Sequence, residues 1–116
     1  MEKKNFILEK SLEFALEIIE YSEVLENDKK YVIARQLLKS GTSIGANIRE
    51  AQSCESRADF IHKLKIAAKE AEETEYWLIL CNRSKSYQSN DLLLPKLEEL
   101  QKLLSAIINS SKNNAN

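Results

Sequence analysis

Residues 59–83 read DFIHKLKIAAKEAEETEYWLILCNR, and the spacing within that stretch decides the fold. Phe60, Leu64, Ala67, Ala71, Thr74, Leu78 and Cys81 recur at steps of four and three, so a helix of about 3.6 residues per turn carries them along one seam. No Gly or Pro interrupts it. Ser56 stands before the stretch with Asp59 three residues on, a variant of the capping box that normally has Glu or Gln there. The spacing predicts a third helix over residues 57–83.

The same periodicity returns on both sides. Upstream, Ile33, Leu37, Gly41, Ile44, Ile48 and Ala51 predict a second helix over 28–54, with Asn27 and Asp28 as break and N-cap. Before it, Leu8, Leu12, Ala15, Ile19 and Ser22, flanked by Ile7, Phe14, Ile18, Tyr21 and Leu25, predict a first helix over 4–26 with a wide buried face. Downstream, residues 83–90 are polar and read as the one sizeable loop. Leu93, Leu97, Leu100, Leu104 and Ile107 then predict a fourth helix over 91–109. Pro95 falls in its first turn, where the missing N–H costs little, and the tail 110–116 is expected to fray.

Four such segments with short connections pack nearly parallel, at about 20°. The expected fold is all-α: an antiparallel up-and-down four-helix bundle forming one domain over residues 1–116. With the second turn centred near Glu55, the numbers of facing residues should sum to about 111. That register sets Ile48 by Leu64, Gly41 by Ala71 and Leu37 by Thr74, so bulky side chains alternate with small ones.

Composition agrees with that class. The 116 residues include two Gly and one Pro, too few chain breakers for a sheet-rich fold beside so much Glu, Lys, Leu, Ala and Ile. Cys54 and Cys81 fall roughly 40 Å apart along the third helix, which excludes a disulfide needing Cα atoms within about 7 Å. The charged start of the chain does not resemble a signal peptide, and no apolar run reaches the roughly 18 residues of a membrane span. The expectation is a cytoplasmic protein without a membrane partner.

The net charge of −1 conceals a strong asymmetry. Residues 1–28 carry three Lys against eight acids, residues 29–69 nine Lys or Arg against three acids, and residues 70–116 five against seven. The basic centre predicts an anionic partner. Arg35, Lys39, Arg49, Arg57, Lys63, Lys65 and Lys69 all lie on the second and third helices, where they form either a phosphate-binding face or an ordinary solvated surface.

Gly41 and Gly45 each cost roughly 1 kcal/mol inside a helix, and close helix approach is the expected compensation. A phosphate loop is excluded there by the missing Lys and preceding strand. Ser43, Asn47 and Glu50 line one side of the second helix. The register brings Glu50 near Lys63 and Ser43 near Lys69 and Glu70, giving either a polar network that fixes register or a subunit contact, or else plain solvent exposure. Ile66, Trp77, Ile79 and Leu80, with Leu92 and Leu103, fall outside the predicted seams and predict a homo-oligomer interface.

Catalytic and metal chemistry find no footing. Asp59 and His62 stand three apart, like one Glu-x-x-His pair of a di-iron bundle, but such sites need two pairs and this chain has one histidine. Neither cysteine nor any serine has a histidine base evident beside it. The expectation is a non-enzyme with no cofactor and no small-molecule substrate.

The stretches RQLLKSGTSIGANIREA at 35–51, DFIHKL at 59–64 and KEAEETEYWL at 69–78 resemble a bacterial family of four-helix bundles. That family includes proteins encoded in intervening sequences of large-subunit ribosomal RNA genes, sometimes labelled S23 ribosomal proteins. The resemblance spans essentially the whole chain. The accessory variability determinants of diversity-generating retroelements are similar; they assemble as homopentameric barrels and bind nucleic acid and a reverse transcriptase. The resemblance thus implies a pentamer that takes RNA or DNA on a basic surface, and the alternative is an adaptor that docks a protein such as a reverse transcriptase without touching nucleic acid.

Overall fold

The computed structural model describes residues 2–113, with side chains described from Phe6 onward. Four helices follow one another: α1 (Glu2–Asn27), α2 (Tyr31–Ala51), α3 (Arg57–Arg83) and α4 (Leu93–Asn113). Each packs on its neighbours in the order α1, α2, α3, α4 and back to α1, and among the described residues no diagonal pair of helix backbones comes close. The rod measures 51 × 21 × 20 Å. Its cross-section is about two helix diameters each way, as near-parallel packing requires.

The core follows the periodicity of α2, α3 and α4 closely. Leu37, Ile44, Ile48, Leu64, Ala67, Ala71, Leu78, Cys81, Leu93, Leu97, Leu100 and Leu104 are all buried. On α1 the buried residues are Ile7, Ser11, Phe14, Ile18, Tyr21, Ser22 and Leu25. The stripe expected at the centre of that face, Leu8, Leu12, Ala15 and Ile19, is rotated toward solvent, and Leu12, Leu16 and Ile19 are 47%, 55% and 38% exposed. Apolar residues run most of the way round α1. The side that turned inward is the one bearing the ring of Phe14 and Tyr21 with its bonding hydroxyl.

The ends also depart from expectation. Lys30, not Asp28, is the N-cap of α2, without a side-chain cap bond. The Lys30 N–H reaches the Leu25 carbonyl at 2.9 Å and the Lys29 N–H the Glu26 carbonyl at 2.9 Å, with Lys29 at φ 66°. Those two bonds make a Schellman closure of α1, with lysine where glycine is the usual occupant. Ser56 caps α3 by accepting the Asp59 N–H at 3.1 Å. Asn90 accepts the N–H groups of Leu92 and Leu93 before α4, which continues through residues 110–113. Residues 114–116 of the expected fraying tail lie outside the described residues. Cys54 and Cys81 are both free.

The α3–α4 loop is tied down. Tyr21 donates its hydroxyl to the Gln88 carbonyl at 2.6 Å, Asn82 accepts the Asn90 N–H at 2.9 Å, and the Lys30 ammonium lies 5.2 Å from the centre of the Tyr87 ring. Burial holds the Tyr21 phenol in its protonated form far above its ordinary range, reinforced by the neighbouring Cys81. The Cys81 thiol is itself pushed up by burial.

Gly41 and Gly45 face α1. A Cβ on Gly41 would lie 2.8 Å from Ile18 Cγ2 and 2.9 Å from Ile18 Cγ1, whereas one on Gly45 would reach only ordinary contact with Ser11, at 3.4 Å. We therefore expect Gly41→Ala to destabilise the protein by about 1–3 kcal/mol through overpacking. Gly45→Ala should be neutral or stabilising by up to about 1 kcal/mol through helix propensity; urea denaturation of the two variants separates them. Tyr21 ionises in the unfolded chain near pH 10.0 and much later in the folded one. The folded state therefore holds the extra proton, and stability should decline as pH rises above about 10. Denaturation midpoints at pH 8 and pH 10.5 should lie closer together in Tyr21→Phe than in the parent.

Candidate nucleic-acid interface

The α2–α3 face begins with the contacts that lock its register. Lys63 Nζ donates to Glu50 Oε1 at 2.7 Å, and a hydrogen bond of 2.9 Å joins the buried hydroxyls of Thr74 and Ser40. These pairs sum to 113 and 114, slightly beyond the backbone register of about 111. Side chains on a helix lean toward its N-terminus by about one residue, so two antiparallel partners meet about two numbers later. The ion pair holds the Lys63 ammonium above its ordinary pKa through the Glu50 hydrogen bond and charge.

The seven basic residues then divide by environment. Arg35 and Lys39 on α2, and Lys65 and Lys69 on α3, are exposed. Arg49 is also exposed, about 40° round α2 from Arg35 on the side nearer α1, where it lines a groove against that helix. Among the described residues none of these five makes an ion pair, whereas Lys63, Lys96 and Lys10 pair with Glu50, Glu17 and Glu99. Arg57 turns away toward α4, where its Nη1 donates to the Ser111 carbonyl at 3.5 Å. Of the seven, the exposed cations without such a partner are thus Arg35 and Lys39 on α2 and Lys65 and Lys69 on α3, with Arg49 nearer α1 and Lys63 neutralised between the helices.

The polar residues of α2 do not join one cross-helix network. Ser43 donates to the Lys39 carbonyl at 2.7 Å and Asn47 to the Ser43 carbonyl at 2.9 Å, both within their own helix. A short polar side chain in mid-helix finds the carbonyl four residues back closer than any group on the next helix. Of Ser43, Asn47 and Glu50, Glu50 alone crosses to α3. The Glu70 carboxyl is raised by burial and then by the charge of Glu73, while Lys39 lowers it.

Of the residues expected at a subunit contact, Ile66, Trp77 and Leu80 share one side of α3, Ile79 stands apart, and Leu92 and Leu103 belong to the α4 side of the chain. Trp77 and Ile79 are two apart, which separates them by about 200° round the helix. Ile66, Trp77 and Ile79 are half-buried, and Trp77 packs against the core with its indole N–H donated to Glu73 Oε2 at 3.2 Å. Leu80 and Leu92 are 38% and 65% exposed, and Leu103 is half-buried against the core. A further exposed apolar surface lies on α1. Leu8, Leu12 and Ala15 form with Thr42, Gly45, Ala46 and Arg49 a groove of about 130 Å³, continued outward by Leu16 and Ile19. Its signal was present in the four-three spacing of Leu8, Leu12, Ala15 and Ile19, but that spacing reads equally well as core.

Among the described residues no group of three or more His, Cys, Asp or Glu side chains is placed to hold a metal ion. No described helix is long and apolar enough to cross a membrane.

Comparison with known proteins places this geometry in a family. Residues 3–106 match the 23S rRNA-intervening sequence protein family. A crystal structure of a protein of unknown function from the S23 ribosomal protein family of Bacteroides thetaiotaomicron VPI-5482 is 49% identical and superposes with a TM-score of 0.87, covering 92% of this chain and 98% of that one. No curated protein matches. The chain belongs to the 23S rRNA-intervening sequence protein family.

The Ser40–Thr74 bond is the testable lock of this face. Thr74→Val should cost about 1–2 kcal/mol in urea denaturation, because the buried Ser40 hydroxyl loses its better partner. The Ser40→Ala/Thr74→Val double variant should recover part of that loss, since neither hydroxyl is then left behind.

Proposed function

We propose that this member of the 23S rRNA-intervening sequence protein family is a non-enzymatic, self-associating scaffold that holds the phosphate backbone of RNA or DNA on the outer face of α2 and α3. One observation carries the reading: Arg35, Lys39, Lys65 and Lys69 are exposed and unpaired among the described residues, while the nearby Lys63 is neutralised by Glu50. Unpaired cations on two adjoining helices form a surface that releases counterions when phosphates replace them. Arg49 extends that positive field toward α1, and Arg57, turned to α4, contributes little.

Self-association is supported by the α1 surface, where Leu12, Leu16 and Ile19 stay exposed beside an open groove. Contiguous apolar surface of this kind marks an interface. The similarity to homopentameric accessory determinants makes a ring of five the proposed assembly. The same α1 surface favours a second reading, an adaptor that docks another protein, such as a reverse transcriptase, through its acidic first helix and needs no nucleic acid.

Fluorescence anisotropy with a labelled RNA at increasing salt separates the two readings. Four phosphate contacts predict that affinity falls about a hundredfold between about 50 and 200 mM salt. Lys39→Glu and Lys65→Glu should each weaken binding and lower the salt slope by about one or more. Absence of binding at about 50 mM salt, or affinity unchanged by these reversals, would favour the adaptor.

A further inference from the structure

Cations alone do not distinguish a duplex from a single strand; an exposed aromatic ring among them does. On the solvent side of α3, Lys65, Lys69, Tyr76 and Arg83 follow at steps of four, seven and seven and are all exposed. Those steps keep them on one side of the helix, with Lys69 and Arg83 each about 10 Å along the axis from Tyr76. Tyr76 is 57% exposed. Its ring is also oriented: the Trp77 ring lies 5.4 Å away at 59°, and the Trp77 indole is held by Glu73. One side of the phenol is thus propped by its neighbour while much of the ring stays open to solvent.

We infer that the nucleic acid held on this face is single-stranded, with an unpaired base stacked on Tyr76 and its flanking phosphates drawn to Lys69 and Arg83. The inference rests on the phosphate-binding reading above. A duplex buries its base faces in its own stack and offers a surface ring nothing to stack on, whereas a single strand presents a π-face at every nucleotide. Any base has such a face, so the contact selects strandedness rather than sequence. Carboxylates of the same helix bear on the site, and Glu75, next to Tyr76, accepts a hydrogen bond from Gln101 at 3.1 Å. Glu72 is exposed one turn before Tyr76 and repels phosphate; Glu73 is exposed too, but its carboxylate is engaged by Trp77.

The test compares a labelled single-stranded RNA of about twelve nucleotides with the duplex of the same sequence, a length within the usual range of single-strand sites. The full chain at low salt should bind the single strand more tightly. Tyr76→Ala should weaken single-strand binding about tenfold and leave the duplex unchanged, while Tyr76→Phe keeps the parent affinity. Glu72→Gln should tighten binding of both forms. Trp77 is the one tryptophan of the chain, and its fluorescence should respond to the single strand and not to the duplex. Equal affinity for the two forms, or Tyr76→Ala binding the single strand like the parent, would overturn the inference and leave the phosphate reading standing. Binding of neither form at low salt would overturn both.

Discussion

The closeness with which α2 approaches its two neighbours is the constraint on which the other features rest. Toward α1, α2 presents Gly41 and Gly45, and the Ile18 side chain occupies the space a Cβ on Gly41 would need. Toward α3 it presents Ser40, whose hydroxyl meets that of Thr74, and the facing stretch of α3 adds the small buried residues Ala67 and Ala71. Each glycine gives up roughly 1 kcal/mol of helix propensity, and dispersion contacts made at short range offset that loss. The consequence reaches the surface. With α2 and α3 apposed, Glu50 and Lys63 meet across the seam and leave the other cations of the two helices without an ion pair among the described residues.

The bundle was legible in the sequence wherever polar residues bracket an apolar stripe. On α3, Lys63, Lys65, Glu72 and Glu73 leave only one direction in which the seam of Leu64, Ala67, Ala71, Thr74 and Leu78 can point, and the structure buries that seam. On α1 no such bracketing exists between the Leu12–Ile19 side and the Phe14–Ile18 side. Spacing alone could not rank two apolar faces, because their difference lies in what α2 and α4 offer opposite them. The closure of α1 was hidden for another reason. Its left-handed residue is Lys29, and the usual sequence signal for that geometry is Gly or Asn.

The candidate site was legible as a set of residue types and not as an arrangement. Antiparallel register foresaw the approach of Lys63 to Glu50, since one short turn fixes both positions. It could not foresee Arg57 reaching Ser111, because that contact depends on where the end of α4 comes to rest, fifty-four residues along the chain. Nor could it show that Ser43 and Asn47 would spend their hydrogen bonds on their own helix, a competition decided by distances of a few tenths of an ångström. Which cations remain available is therefore a tertiary property. Counting them along the chain overstates the basic face by including Lys63 and Arg57.

A protein with net charge −1 can still attract a polyanion, because charge acts over a limited distance. Eight of the eighteen acids lie in the first 28 residues, and so chiefly on α1, which sits diagonally across the bundle from α3. The rod is 20–21 Å wide, more than twice the Debye length of about 8 Å at physiological ionic strength. A phosphate approaching the outer side of α3 therefore responds to Lys65, Lys69 and Arg83, with Glu70, Glu72, Glu73 and Glu75 of the same helix as the opposing charges within range, and hardly to the far acids. Those same far acids share α1 with its exposed apolar stripe, so the local field there differs from that beside Lys65 and Lys69. The up-and-down topology thus sets the acid-rich α1 diagonally across from the lysines of α3, so each contact surface must be judged by its local field and not by the net charge.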